Sequence, residues 1–115
     1  MPNKEPARAG VLPGTLDLMV LHIASTLGPL HGYAIAARLE QVSGGAIQLN
    51  MGTLYPALMR LEQRGWLRAE WGVSDHQRRA RFYSLTAAGR RRLADERAEW
   101  SRMQAIMRDL LHDKA

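Results

Sequence analysis

The sequence predicts a mainly α-helical protein with a small antiparallel β-hairpin. Three short segments and one long segment carry apolar residues at intervals of three and four, which is the spacing of amphipathic helices. Between the third short segment and the long one, apolar residues alternate with polar ones on either side of a polar turn, which is typical of a hairpin. With 115 residues and 46% hydrophobic residues, the chain can fill the core of one domain but is too short for two ordinary ones.

The composition excludes several classes of protein. The chain contains no cysteine, so disulfides and thiolate metal sites are excluded. It has no run of about 18 apolar residues that would span a membrane, and residues 1–11 lack the apolar stretch of a secretory signal. We therefore expect a cytoplasmic protein with no membrane partner, in which the polar residues 1–11 form a flexible N-terminal segment.

Positive charge is concentrated in one part of the chain. The formal net charge is +5 and the isoelectric point is near 10.4, which favours an anionic partner. Residues 60–92 hold nine arginines against three acids, a local balance of +6, whereas the rest of the chain holds seven bases and eight acids. From charge alone, a solvated surface of scattered arginines is about as plausible as a binding surface.

The first two helices are marked by their apolar spacing and by the residues that end them. The first is predicted from Thr15 to Leu27, where Gly28 and Pro29 end it because proline cannot continue the hydrogen-bond ladder. The second is predicted over residues 32–43 and ends at two glycines. In the first helix, apolar residues follow helical spacing at Leu16, Met19, Val20, Ile23 and Leu27. The second should bury Tyr33, Ile35, Leu39 and either Ala36 or Ala37.

A third helix is predicted over residues 50–64, after a short strand at residues 46–49. Asn50 suits the N-cap position and Gly65 the end. The apolar face consists of Leu54, Ala57, Leu58 and Leu61. The opposite face carries Gly52, Pro56, Met59 and Gln63, with Thr53 and Tyr55 at its edges. A helix this short has one face for the core and one for a partner.

The rest of the chain predicts a hairpin and a long helix. Leu67, Ala69 and Trp71 alternate with polar residues as in a half-buried strand, and a second strand over residues 80–85 follows a polar turn. A helix without proline then runs from Thr86 to about residue 111. The order ααβαββ followed by a long helix describes a winged helix-turn-helix domain at residues 12–86 and a C-terminal helix at residues 87–115. In such domains the second helix of the motif, here 50–64, enters the major groove, and the first, here 32–43, lies across the backbone.

The sequence also resembles the PadR-type winged-helix transcriptional regulators. The resemblance covers about residues 12–90. It rests on five stretches that occur in the family's order and spacing, Leu12-Pro13-Gly14-Thr15-Leu16-Asp17, Gly28-Pro29-Leu30-His31-Gly32-Tyr33, Gly52-Thr53-Leu54-Tyr55-Pro56-Ala57-Leu58, Arg60-Leu61-Glu62 before Gly65-Trp66, and Arg79-Ala80-Arg81-Phe82-Tyr83-Ser84-Leu85-Thr86-Ala87-Ala88-Gly89. It implies a homodimeric repressor of the smaller subfamily with a short C-terminal helix, bound to double-stranded DNA. Many members have glycine where Arg78 stands in the wing.

Two groups of residues are predicted to contact DNA. Phosphate contacts are expected from the wing, residues 72–81, and from the start of the second helix; the residues are Arg78, Arg79, Arg81, His31 and Tyr33. Base contacts are expected from the outward face of the third helix, at Asn50, Gly52, Thr53, Tyr55, Pro56 and Met59. That face has no arginine to pair with guanine, so thymine methyl contacts and the Tyr55 hydroxyl should supply a modest direct readout. The alternatives are a solvated wing tip and a Tyr33 that belongs to the core.

The long helix predicts a dimer interface. Leu93, Trp100, Met103, Met107 and Leu110 follow intervals of seven, three, four and three, and Ile106 widens this apolar seam. Pairing with a second copy, with Leu16 and Met19 of the first helix taking part, would set two recognition helices about 34–36 Å apart. Packing within the chain is the alternative. Trp100 should either fill the dimer core or line a pocket for a small hydrophobic effector.

Enzymatic and metal-binding functions are not supported by the sequence. His22, His31, His76 and His112 share no metal-ligand spacing, and the chain has neither a nucleophile elbow nor a phosphate-binding loop. We therefore expect no catalysis, metal or cofactor. Two alternatives to a DNA-binding repressor stay open: a winged-helix module that binds protein, and a ligand-sensing dimer with weak affinity for DNA.

Overall fold

The computed structural model of the protein describes residues 13–112. Its elements, in chain order, are α1 (Pro13–Leu27), β1 (Leu30–His31), α2 (Gly32–Val42), α3 (Met51–Gln63), β2 (Leu67–Val73), β3 (Arg79–Leu85) and α4 (Ala87–Leu111). The strands form one antiparallel sheet in the order β1-β3-β2. This is the mainly helical winged helix-turn-helix architecture that the sequence predicts. The predicted flexible segment, residues 1–11, lies outside the described residues.

One hydrophobic core joins α1, α2, α3, the base of the hairpin and the first turns of α4. It contains the apolar face predicted for α3, and Leu54, Leu58 and Leu61 are fully buried there. It also includes Leu16, Val20, Leu21, Ile23, Ala24, Ile35, Leu39, Ala57, Leu67, Tyr83, Leu85 and Leu93. The three-helix arrangement therefore holds the opposite face of α3 toward solvent.

Local capping residues set the bounds of α3. The Asn50 side chain accepts a hydrogen bond from the backbone N–H of Thr53 at 2.9 Å, as expected of an N-cap. At the other end Gly65 has a φ of +79°, a left-handed conformation that stops the helix, and the N–H of Trp66 donates to the carbonyl of Leu61 at 3.0 Å. The predicted boundaries of α3 are correct to within one residue.

Thr86 links the turn that follows α3 to the start of α4. Its hydroxyl donates to the carbonyl of Gly65 at 2.6 Å and accepts from the N–H of Gly89 at 2.9 Å, so it caps α4 while it holds the turn after α3. Its backbone N–H donates to the carbonyl of Trp66 at 3.1 Å. Gly89 packs directly on this carbonyl, leaving no space for a Cβ atom.

The prediction of a strand at residues 46–49 is wrong. That segment is an irregular connection, and the third strand of the sheet is instead β1, whose Leu30 and His31 pair with Tyr83 and Phe82. The order within the domain is therefore αβααββ rather than ααβαββ. The 46–49 segment alternates in hydrophobicity but has no neighbouring strand with which to pair, whereas two residues of β1 are too few to give a periodic signal.

Two further sequence expectations about burial are wrong. Tyr33 is 72% exposed rather than buried, because the first turn of α2 turns it away from Ile35 and Leu39, which fill the core. Trp71 is 58% exposed, because β2 continues beyond the core before the chain turns back. Within residues 13–112, no helix combines the length and the apolar composition that crossing a membrane requires.

Candidate nucleic-acid interface

The outward face of α3 collects most of the residues predicted to read bases. Gly52, Thr53, Tyr55, Pro56 and Met59 are all exposed. Tyr55 and Met59 keep 45% and 53% of their surface in solvent even though both are large and partly apolar. Large exposed side chains on one face of a short helix indicate a surface that a partner covers.

Asn50 and Gly52 have structural as well as exposed roles at the start of α3. The side-chain oxygen Oδ1 of Asn50 is engaged in the cap, so only the side-chain nitrogen Nδ2 is available as a donor to a partner. A Cβ atom on Gly52 would lie 3.2 Å from that oxygen, which explains why this position suits glycine. Pro56 lies inside the helix, yet α3 continues without interruption from Met51 to Gln63.

The start of α2 places one predicted contact in solvent and uses the other as a cap. Nδ1 of His31 accepts a hydrogen bond from the N–H of Ala34 at 3.2 Å, and its ring packs edge-on against Phe82 with centroids 5.4 Å apart. These contacts leave one ring nitrogen of His31 for a partner. The ring of Tyr33, by contrast, is free to reach one.

An ion pair supports α3 from behind. Nη2 of Arg60 lies 2.6 Å from Oδ1 of Asp17 on α1, and both side chains are partly buried. Gly32, at the start of α2, lies against the side chain of Met51, so the two helices of the motif approach closely at that point. The orientation of α3 is therefore fixed by contacts on the side away from its exposed face.

The wing has a compact tip. The Ser74 N–H donates to the carbonyl of Arg78 at 2.8 Å, and the N–H of Gln77 donates to the carbonyl of Ser74 at 2.9 Å. The residue of the tip with positive φ is Gln77, at +61°, so Arg78 does not occupy the left-handed region that would favour glycine. Arg78 is exposed at this tip.

The other two wing arginines differ in their partners. Arg81 is directed back to α3, where its Nη2 lies 2.7 Å from Oε2 of Glu62. Its Nε is buried without a hydrogen-bond partner in the described part of the chain. Arg79 is exposed, and within residues 13–112 no carboxylate lies within ion-pair distance of it. Phosphate contact by Arg81 stays a prediction, but its charge is already matched by Glu62.

A groove of about 510 Å³ runs between α3 and the wing. Its lining consists of Tyr55, Pro56, Met59, Glu62, Gln63, Arg81 and Tyr83. Tyr83 forms the floor, and its burial raises its phenol pKa above the ordinary value of 10.0. The structure thus brings three of the six predicted base-reading residues, Tyr55, Pro56 and Met59, and one wing arginine to the same concave surface.

Trp71 lies beside this groove, next to Arg81, although the alternation of residues 67–71 placed it on the buried face of a half-buried strand. It is opposite Arg81 in the register of β2 and β3, and the guanidinium carbon of Arg79 lies 4.4 Å from the centroid of its ring. The available signal was the length of β2: seven residues extend further than the core of so small a domain can cover.

The C-terminal helix presents a second, apolar surface. Trp100, Met103, Ile106 and Met107 are each 45–48% exposed, and Leu110 is 66% exposed. Beside Trp100, a cleft of about 570 Å³ opens between α1, α2 and α4, with Met19, Leu39 and Ile47 among its lining residues.

Leu16 and Leu93, also predicted at a dimer interface, lie instead in the core of their own chain, each with 6% exposure. They have little surface to offer a partner because α1 and the first turns of α4 pack on each other. Met19 is half-buried and borders the cleft. The dimer interface itself stays a prediction, now centred on the second half of α4.

Residues 20–95 match the family model described as the transcriptional regulator PadR-like family. The chain belongs to the PadR-like family of transcriptional regulators. PadR-like regulators bind DNA and are typically dimers. Proteins of this family are transcriptional regulators, which are generally not enzymes.

Two proteins with similar sequences illustrate the extent of the resemblance. The transcriptional regulator Rv3488 of Mycobacterium tuberculosis is 39% identical over 80 residues, which are 70% of each protein. An uncharacterized protein in a transposon of Streptomyces fradiae is 42% identical over 85 residues, or 74% of this chain. The chain spans only 23% of the length of that Streptomyces relative.

Solved structures share the PadR-like fold over most of their length. A PadR-family regulator from Eggerthella lenta has a TM-score of 0.75 and 31% identity, covering 88% of this chain and 85% of its own. A protein from Streptococcus mutans has a TM-score of 0.79 and 25% identity, with 91% and 93% coverage.

Proposed function

We propose that this PadR-like regulator is a cytoplasmic, homodimeric repressor that binds a palindromic operator. In this proposal α3 enters the major groove, and the wing, residues 72–81, lies on the backbone or in the minor groove. The observation that carries it is the groove between α3 and the wing. Exposed Tyr55, Pro56 and Met59 line one side, and arginine-bearing β3 lines the other.

The charge and shape of this groove suit a duplex. Arg78 and Arg79 project from the wing, and within residues 13–112 neither has an acidic partner, so both can neutralise phosphates. Tyr33, on the neighbouring helix, supplies an exposed hydroxyl for another phosphate. The α3 face itself is largely uncharged, which suits contacts with base edges and thymine methyl groups rather than with the backbone.

The dimer is proposed from the exposed seam of α4. Five large apolar residues along α4, each 45–66% exposed, form a surface that a lone chain leaves in water. A second copy offers the same seam, and pairing two such helices by a two-fold axis buries both. A two-fold dimer presents two α3 helices to one side of a duplex, and it therefore matches a palindrome whose half-sites are about one turn apart.

A small hydrophobic effector near Trp100 is a second proposal. The cleft beside Trp100 is mainly apolar, and its volume of about 570 Å³ falls within the range of ligand pockets. His22, Arg38 and Arg97 at its edge can orient a polar group of the effector. Fluorescence of a variant that keeps Trp100 as its sole tryptophan should change when an apolar compound binds, and an unchanged signal across a panel of such compounds would remove this proposal.

Selection of bound duplexes from a random pool tests the main proposal. The full chain should enrich a palindrome, and in a gel shift Tyr55→Ala and Pro56→Ala should each weaken binding to it about tenfold, consistent with about 1–3 kcal/mol per base contact. Circular dichroism should show both variants folded because both residues are exposed. Gln104→Ala on α4 is the matched control and should bind normally. Failure to enrich any duplex would favour a protein-binding module.

Transcription from a template that carries the selected site tests the sign of regulation. The purified protein should lower the amount of transcript in proportion to site occupancy. An increase would make the protein an activator and would contradict the repressor proposal, while leaving the DNA-binding proposal intact.

A further inference from the structure

An exposed tryptophan lies between two arginines on the wing. The guanidinium carbons of Arg79 and Arg81 are 4.4 and 5.7 Å from the centroid of the Trp71 ring, both within cation–π distance. Trp71 nevertheless keeps 58% of its surface in solvent. We refer to Trp71, Arg79 and Arg81 as the wing stack.

The wing stack is on the side of the hairpin that faces α3. Trp71 and Arg81 are cross-strand partners, and Ala69 and Tyr83 form the next pair on the same face, with Tyr83 buried against the core. The ion pair between Arg81 and Glu62 ties this face to the last turns of α3. The stack therefore borders the groove assigned to DNA, rather than the solvent side of the sheet.

The two guanidiniums of the wing stack differ in whether a carboxylate already binds them. Arg81 is engaged by Glu62, which places its charge and its planar group at a fixed position beside the indole. Arg79 contacts the ring closely, and in the described part of the chain it has no carboxylate partner. A guanidinium that lies against an aromatic ring keeps N–H donors available at its edge, in a geometry that matches two phosphate oxygens.

We propose that Trp71 is a positioning residue for DNA binding: its indole holds the guanidinium of Arg79 so that Arg79 binds one backbone phosphate at the wing. This inference rests on the proposed function and extends it to a residue outside the recognition helix. The physical gain is preorganisation. A free arginine loses substantial rotamer freedom when it binds, whereas an arginine already held against a ring loses less.

Salt dependence provides a test specific to this role. The logarithm of the binding constant decreases linearly with the logarithm of the salt concentration, and the steepness of that line falls by about 0.9 for each phosphate contact that is lost. Arg79→Ala should lower the slope by about that amount per protomer. Trp71→Ala removes no charge, yet it should lower the slope in the same direction and weaken operator binding about three- to tenfold at moderate salt.

Three further variants separate positioning from a general effect on the wing. Val73→Ala shortens the exposed apolar residue that lies opposite Arg79 on the same face, and it should leave the slope unchanged because the indole of Trp71 remains. Trp71→Phe retains an aromatic ring and should recover most of the affinity, whereas Trp71→Leu should not. The double variant Trp71→Ala with Arg79→Ala should bind no more weakly than Arg79→Ala alone, because both changes remove the same contact.

The outcomes distinguish this inference from the function on which it rests. If the wild-type protein binds its selected duplex with a steep salt slope but Trp71→Ala keeps that slope, or if the effects of Trp71→Ala and Arg79→Ala add, the positioning role is overturned and the repressor proposal stands. If the wild-type protein binds no duplex, both are overturned. Thermal unfolding of each variant establishes that the hairpin is intact, since Trp71 contributes little to the core.

Discussion

Ile106→Ala is the substitution that most directly tests the proposed dimer. Ile106 lies in the exposed seam of α4, where 46% of its surface remains in solvent in a single chain. Alanine is the most favourable residue for a helix, so α4 itself should not lose stability. The substitution therefore acts on the contact with the partner and leaves the fold of each protomer in place.

The expected effect follows from the buried area. The change removes three carbon atoms, each worth about 0.8 kcal/mol when fully buried. The exposed 46% of the side chain is what a partner covers, so the loss is about 1 kcal/mol per protomer. Two-fold symmetry repeats it in the second protomer, giving about 2 kcal/mol and a dimer that dissociates roughly 30-fold more readily.

Sedimentation equilibrium over a range of concentrations measures this change. Ser101→Ala is the matched control, because Ser101 is exposed and five residues along an α-helix place its side chain about 140° away from Ile106, outside the seam. The control should keep the wild-type dissociation constant. Equal dissociation constants for Ile106→Ala and the wild type, or a protein that is monomeric at every concentration, would refute the reasoning.

Two further predictions concern the fold that supports the site. Gly89→Ala should reduce the free energy of unfolding by about 1–3 kcal/mol, because the new Cβ would meet the Trp66 carbonyl and lie 2.8 Å from a methyl of Leu85. Urea unfolding measures this, and an unchanged free energy of unfolding would mean that α4 can shift away from Trp66 and Leu85. Burial raises the pKa of Tyr83, so the unfolded chain loses the phenolic proton first and stability should fall as pH rises above about 10. Tyr83→Phe should flatten that alkaline decline in pH-dependent unfolding, whereas parallel curves for the two proteins would contradict a buried phenol.

The helices were predictable because their signals are local. Asn50 and Gly65 mark the ends of α3, and its apolar residues repeat at helical spacing, so both the helix and its exposed face follow from about 16 adjacent residues. β1 was not predictable in this way. Its two residues become a strand only because β3, about 50 residues later, offers a partner.

The candidate site was predictable where it depends on one helix and less so where elements meet. The outward residues of α3 are exposed as the spacing indicates. Arg81 was expected to be free for phosphate, but Glu62 lies 19 residues away and pairs with it only after folding. Trp71 was expected on the buried face of a half-buried strand, because alternation reports which face of a strand a residue occupies and not whether anything covers that face.

The hydrogen bonds of Thr86 connect α3, the helix proposed to read DNA, closely to α4, the helix proposed to pair. A single hydroxyl holds the turn after α3 and also begins α4, and Gly89 sits directly on the Trp66 carbonyl. The two helices are consequently expected to move together as one rigid unit about this junction. In the proposed dimer, a small rotation of the paired α4 helices would change the separation of the two α3 helices, and this junction would then determine how well the protein matches the spacing of the proposed half-sites.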